Sequence, residues 1–396
     1  MNRSLFLGGV LALGALASAC GGLQSHGACD DGGAGGGVVG GGSASGGGSA
    51  TGGGSASGGG SATGGGSATG GGSATGGGSA TGGGGVVRPF TYSELAMPQD
   101  SSGYVTAIAG RPGEIWAVTD FGHVMKKPAD GGFVDLPGSW NGDLYDVWVG
   151  PNGEVVMISG RNSFNCPGNC NSFADFTELS VGDSSWQLNS ICGTAYNDLY
   201  AIGDRDTAAI ATLAHFDGIT WSTQSQDLGM TDPHGCFMRP DGVMWIAGLR
   251  DVVKWEQGAA TLETLDLDLT VIGTQASSQY WYDVAGFGEN IFAVGADHRV
   301  IGRDANGHWT LVSNPPQQQS TFYAIAAVSP TELYAGGYDS SNETMWWKSD
   351  GGTWAPNNPD LPFINYVRAV YVANPNEVYI GGDDGNFGPM VLRATR

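Results

Sequence analysis

Between Val105 and the C-terminus the chain repeats one phrase seven times. A short apolar run leads into a Pro/Asn/Gly-rich turn, an acidic residue follows, and an apolar-aromatic run then closes, most often on glycine. The copies open at Ile108, Val147, Ile191, Cys236, Val284, Ile325 and Val370, so successive spacings are 39, 44, 45, 48, 41 and 45 residues. Sequence periods of this size mark propeller blades, each a four-stranded unit that cannot bury its faces alone. The fifth copy shows the four strand signals most plainly, at Trp281–Ala285, Asn290–Gly295, Val300–Arg303 and His308–Val312, with an Asn-Gly hairpin signal between the last two. An aromatic recurs just past that turn, at Phe133, Trp186, Trp221, Trp309 and Trp354, where it would wedge between adjacent sheets. The seventh copy stops after its third strand. The stretch from Phe90 to Leu95 resembles the missing fourth, so the expected fold is an all-β, seven-bladed β-propeller closed by its own N-terminal strand.

What precedes the repeats is of another kind. Residues 32–85 are almost wholly Gly, Ser, Ala and Thr. Such a segment has too little apolar surface to offset the entropy of ordering and is expected to be a disordered linker. One folded unit, 86–396, remains. Residues 1–19 read as a signal peptide: Arg3, the apolar stretch Leu5–Leu16, then small residues. The apolar stretch is too short to span a bilayer. Two readings of the cleavage site stay open. Ala17-Ser18-Ala19 suits release as a soluble protein, whereas Leu16-Ala17-Ser18-Ala19-Cys20 resembles a bacterial lipobox, which implies lipidation of Cys20 and an anchor region at 20–31. The linker favours the anchor, because a coil of roughly 5–6 Å × √55, about 40 Å, would hold a domain clear of a membrane. The protein is thus expected in the cell envelope, touching membrane only through its lipid, or secreted if released.

Charge narrows the partners. Only Arg3, Asp30 and Asp31 precede Arg88, which leaves 36 acidic against 15 basic residues in the folded unit. That field disfavours nucleic acid and anionic lipid. Export suggests that disulfides persist. Cys166 and Cys170 are the first candidates for one. Cys192 and Cys236, on the innermost strands of neighbouring repeats, face either together or apart, and Cys29 is left over if Cys20 carries lipid.

The whole of 90–396 is similar to secreted bacterial seven-bladed propellers, related in style to Asp-box and photosystem II assembly-factor-like repeats. Lys348-Ser349-Asp350-Gly351-Gly352-Thr353-Trp354 carries the likeness to an Asp-box. The resemblance implies a fold, not an activity.

Strand order puts the turns between first and second strands, and between third and fourth, at one end of the disc. The other end is irregular, and irregular loops on rigid scaffolds are where binding concentrates. We assign to it the insertion Arg161–Phe176, the loops Asp266–Tyr280 and Asp339–Thr344, and the aromatics Trp140, Tyr280, Trp281 and Tyr338. Asp204, Asp206, Asp297, Asp339 and Asp383 follow second strands. They either shape tight turns or converge on the channel, where they could hold a structural divalent cation or a cationic partner. No nucleophile-base pairing, histidine metal motif or phosphate loop stands out, so no cofactor and no catalytic residue is assigned. The leading expectation is a non-catalytic, tethered, monomeric propeller that presents its loop-rich face to a protein or glycan. A carbohydrate-active hydrolase or lyase using carboxylates of that face, and a purely structural envelope lipoprotein, are the alternatives.

Overall fold

The computed structural model describes residues 90–98, 103–138, 140–205, 210–225, 227–265, 267, 280–313, 320–339, 344–350, 353–356, 364–386 and 388–396. Cys20, Cys29, the signal, anchor and linker segments and Asp206 lie outside them. The described residues form an all-β propeller of seven four-stranded antiparallel sheets. Their innermost strands are Val105–Arg111, Asp146–Val149, Trp186–Ala195, Thr231–Met238, Trp281–Phe287, Ser320–Ala327 and Asn365–Asn374, numbered below as blades 1 to 7.

The core is not one body but a set of apolar layers between neighbouring sheets. Val105, Ile108 and Met125 of blade 1 pack on Ala369, Tyr379 and Val391 of blade 7, and each other neighbouring pair of blades has a comparable cluster. This explains the repeated apolar-aromatic second strand. Glu114–Thr119 and its equivalents have sheet neighbours on both sides and blades against both faces, so alternation gives way to continuous apolarity.

Closure is made by the strand that precedes blade 1 in the chain. Thr91–Leu95 pairs antiparallel with Pro389–Thr395, from Thr91 opposite Thr395 to Leu95 opposite Val391. Phe90 fastens this strand to blade 6. Its ring lies 5.6 Å from Tyr334, and the Arg396 guanidinium covers it at 5.0 Å while pairing with Glu332 at 2.6 and 3.0 Å.

Three expectations need correction. Trp186 does not follow a hairpin in an outer strand; it opens the innermost strand of blade 3. Phe133, Trp221, Trp309 and Trp354 do sit between blades, and the Trp221 indole of blade 3 donates to Ser163 Oγ of blade 2 at 2.8 Å. The Cys166–Cys170 loop belongs to the regular end, not the irregular one. Asn162–Cys166 is the third strand of blade 2, so the loop after it joins third to fourth. Finally, Trp281 is not a surface aromatic. It is 1% exposed, wedged between blades 4 and 5.

Candidate functional site: the mouth of the central channel

The site grows out of a fault in the strand ladder that recurs around the ring. In blade 5, Trp281 pairs with Gly295 and Asp283 with Val294, leaving Tyr282 as an extra residue on the inner strand. Thr106, Asn189, His234 and Tyr323 are left over in the same way in blades 1, 3, 4 and 6, and blade 7 has a longer irregularity that includes Arg368. Tyr145 directly precedes the inner strand of blade 2. A bulge of this kind bends its strand and re-aims the extra side chain. Here the re-aimed residues all line the channel, each two positions before the apolar start of its repeat.

The glycine that closes five of the second strands is the other half of this device. A Cβ on Gly295 would collide with the Tyr280 carbonyl, and one on Gly337 with that of Thr321; at Gly248 it would come within 2.8 Å of the Asp232 carbonyl. Only glycine lets the bulged backbone approach so closely.

The ring separates two spaces. Inside it lies a chamber of about 110 Å³ bordered by Asp146, Ser190, Cys236 and Asp283; outside it a mouth of about 310 Å³ adds Tyr104, Asp120 and Asp143. Asp146 and Asp283 occupy the column one residue further in. Asp146 accepts from Ser190 Oγ at 2.7 Å and from the Ile191 and Val147 amides at 2.9 and 2.8 Å; Asp283 accepts from the Ile325 and Val284 amides at 2.9 and 2.8 Å. Each therefore staples its blade to the next. Both touch the chamber yet are surrounded by protein, and this burial raises their pKa, to about 6 for Asp146 and about 8 for Asp283, against the amide bonds that favour the anion.

The mouth has two unlike sides. On one, Tyr280 stacks on Tyr282 at 5.7 Å, Tyr282 meets Tyr323 at 4.9 Å, Tyr323 stacks on Tyr338 at 5.5 Å, and Tyr338 meets Tyr366 at 4.3 Å. His234 packs 4.8 Å from Tyr282, and burial lowers its pKa, keeping the imidazole neutral. Burial also raises the pKa of Tyr282 and Tyr323, so both hydroxyls remain donors. On the other side stand Asp120, Asp143, Tyr104 and Tyr145. Asp120 accepts the Tyr104 amide at 2.8 Å, and its pKa is raised by burial and then by Asp143. Arg368 bridges the sides, its guanidinium 4.2 Å from the Tyr104 ring and 4.7 Å from that of Tyr323.

Of the residues expected at the site, Tyr280 and Tyr338 belong to this aromatic arc. Trp140 does not: it packs on Phe164 at 4.7 Å and donates to Ser159 Oγ at 3.0 Å, closing the layer between blades 1 and 2. Of the carboxylates after second strands, Asp204, Asp297 and Asp383 each have local surroundings of their own. Asp204 is half-buried in its strand opposite Gln187, Asp297 pairs with the buried Arg299 at 2.9 Å, and Asp383 is buried against Asn365 and the Gly385 amide. Asp339 ends the second strand of blade 6. Among the described residues, no three His, Cys, Asp or Glu side chains are grouped to hold a metal ion, and no helix is long and apolar enough to cross a membrane. Cys166 bonds Cys170 with an S–S distance of 2.04 Å, and Cys192 bonds Cys236 across blades 3 and 4 at 2.17 Å.

The sequence reading missed His234, Tyr282, Tyr323 and Arg368. Aligning the seven copies and reading the column two residues upstream of each would have collected them.

No family model matches the chain, and no curated protein matches it in sequence. Solved structures do match its shape. "YCF48 bound to D1 peptide" superposes with a TM-score of 0.58 at 13% identity, over 78% of this chain and 96% of that one. YCF48 from Cyanidioschyzon merolae gives 0.55 at 12%, over 76% and 98%. The WD40 beta propeller domain of Doa1 gives 0.58 at 12%, over 78% and 97%. At such identities the likeness is one of fold alone: the chain is a β-propeller.

Proposed function

We propose that this protein is a non-catalytic binding scaffold that receives a protein segment in the mouth of its channel. The observation that carries this reading is the set of bulges in six of the seven blades, which together with Tyr145 of blade 2 turns Thr, Tyr, Asn, His and Arg side chains onto one opening. A bulge weakens its ladder locally, and a device maintained in six of seven blades at that cost is best explained by what the side chains do there. The mouth is concave, half aromatic and supplied with a few polar groups, the composition of a recognition site. In support, one similarly folded protein is described as bound to a peptide. The carboxylates of the inner chamber, the natural candidates for acid-base work, are engaged in stapling blades.

The N-terminal region completes the proposal. Residues 1–19 direct export, Cys20 carries a lipid, and residues 32–85 form the reach between envelope and disc. The intact mass of the mature N-terminus tests the anchor; a chain beginning at Cys20 without added acyl mass rejects it. The binding reading is tested by selecting peptides from a displayed random library on the purified chain. Selected peptides should lose binding to Tyr323→Ala while the melt is unchanged. Peptides that bind Tyr323→Ala and Tyr282→Ala as well as the parent would put the site elsewhere.

A further inference from the structure

We infer that the mouth selects a basic side chain, lysine or arginine, on an exposed segment of the partner; this rests on the binding role proposed above and narrows it. Three features of the opening point to a cation. First, Asp120 and Asp143 stand on one wall, and among the described residues neither has a Lys, Arg or His at ion-pair distance. Burial first, and the neighbouring Asp143 after it, raise the pKa of Asp120, and a ligand cation would offset both. Second, the one Lys or Arg among the described wall residues is not free to offset them fully. Arg368 sits 4.2 Å from the Tyr104 ring and 4.7 Å from that of Tyr323, where its charge also offsets the buried Asp383. Third, the facing ring atoms suit an N–H donor. His234 Nε2 is buried with no hydrogen-bond partner among the described residues, the Asp232 carboxylate standing 3.7 Å away, and burial lowers the pKa of the imidazole.

Size and long-range charge agree with this choice. A mouth of about 310 Å³ lies at the small end of ligand pockets, about 300–1,000 Å³, and suits one anchoring side chain better than a folded ligand. The acid excess of the folded unit, 36 to 15, steers a basic segment toward the disc. Phe121, 59% exposed beside Gly103 and Tyr104, gives the apolar part of such a segment a place on the lip.

The test uses two fluorescein-labelled probes on the full chain, a Gly/Ser peptide bearing lysines and the same peptide bearing glutamates, read by anisotropy in about 0.15 M salt. The lysine probe should bind the parent and bind Asp120→Asn/Asp143→Asn about ten-fold more weakly, while Asp130→Asn, an exposed acid at the other end of the disc, leaves affinity within about two-fold. Should the double variant fold poorly, the exposed Asp143→Asn alone carries the test, with an expected loss of about three-fold. Equal losses with Asp130→Asn would assign the effect to net charge and overturn the inference. Tighter binding of the glutamate probe, lost in Arg368→Gln, would overturn the basic class while leaving the mouth as the site. Binding of neither probe, or binding indifferent to Asp143→Asn, Arg368→Gln and Tyr323→Ala alike, would remove both readings.

Discussion

The two ends of the disc are made by the same strands, yet their acids live under opposite rules. At the regular end carboxylates are well supplied with donors. Asp304 takes the His308 and Asn306 amides, both at 2.9 Å, and Asp217 takes those of Thr220 and Ile219 at 2.7 and 2.9 Å; these bonds lower both pKa values. Around Glu114 burial works the other way, but the Trp116 indole and Lys126 outweigh it and the net shift is still downward. Around the channel, burial wins. Asp120, Asp146, Asp283 and Asp383 are all raised. The regular end spends its polar groups on its own backbone; the channel end keeps some of them costly and available. A turn is a local object that satisfies itself, whereas a mouth is assembled from seven distant segments, one from each blade.

That difference can be attacked at the joint on which the ring depends. Deleting residues 90–98 should produce the largest effect, because it unpairs Pro389–Thr395 and strips the Phe90 ring from Tyr334. Phe90→Ala alone should cost about 3 kcal/mol, and the deletion more, read by calorimetric melting. An unchanged melt in the deletion variant would mean that the ring does not depend on its N-terminal strand. The next effect separates glycines of the two ends. Gly295→Ala drives a Cβ into the Tyr280 carbonyl and should cost about 2–3 kcal/mol while displacing Tyr282. Gly242, in a turn of the regular end with φ +85° and open space around it, should cost only about 1 kcal/mol as alanine. Equal losses at the two positions would deny the bulge its close approach.

The same contrast explains what was legible in the amino-acid order. The blades were, because interblade packing asks the same thing of every copy: Trp116, Trp245 and Tyr379 answer one requirement in one register. The closing strand was legible because it mimics the others. The mouth was not. Its column reads Thr106, Tyr145, Asn189, His234, Tyr282, Tyr323 and Arg368, so only tyrosine recurs and no single residue type marks the position, and the bulge behind it is a property of pairing rather than of composition. Only the terminal glycine hinted at it. Trp281 was misplaced for a related reason. It stands one residue before the bulge, and that single extra residue exchanges which neighbour faces the channel and which the blade gap.

The smaller effects turn on titration. Asp283 has a pKa of about 8 in the fold and about 3.9 unfolded. The native state therefore holds this proton more tightly. Its contribution to stability is full below about pH 4 and is lost as pH rises through about 8. Asp146 follows the same rule with a native pKa of about 6, so above pH 6.5 the remaining slope belongs mainly to Asp283. Between pH 6.5 and 8.5 the parent should lose stability at no more than about 1.4 kcal/mol per pH unit. Asp283→Asn removes that slope. It also replaces one acceptor oxygen by a donor facing an amide, which should cost about 1–2 kcal/mol at pH 5, where the parent carboxyl is neutral. The deficit should shrink or reverse by pH 9, as the parent takes on a buried charge that asparagine never carries. Urea melts at the two pH values decide it; a deficit that does not change with pH would mean that Asp283 ionises as freely as an exposed acid. Asp304→Asn supplies the matched case at the regular end. Its carboxylate is already ionised throughout this range, so the variant's melt should run parallel to the parent's from pH 6.5 to 9. A pH-dependent gap there would erase the distinction between acids that serve their own turn and acids held at the channel.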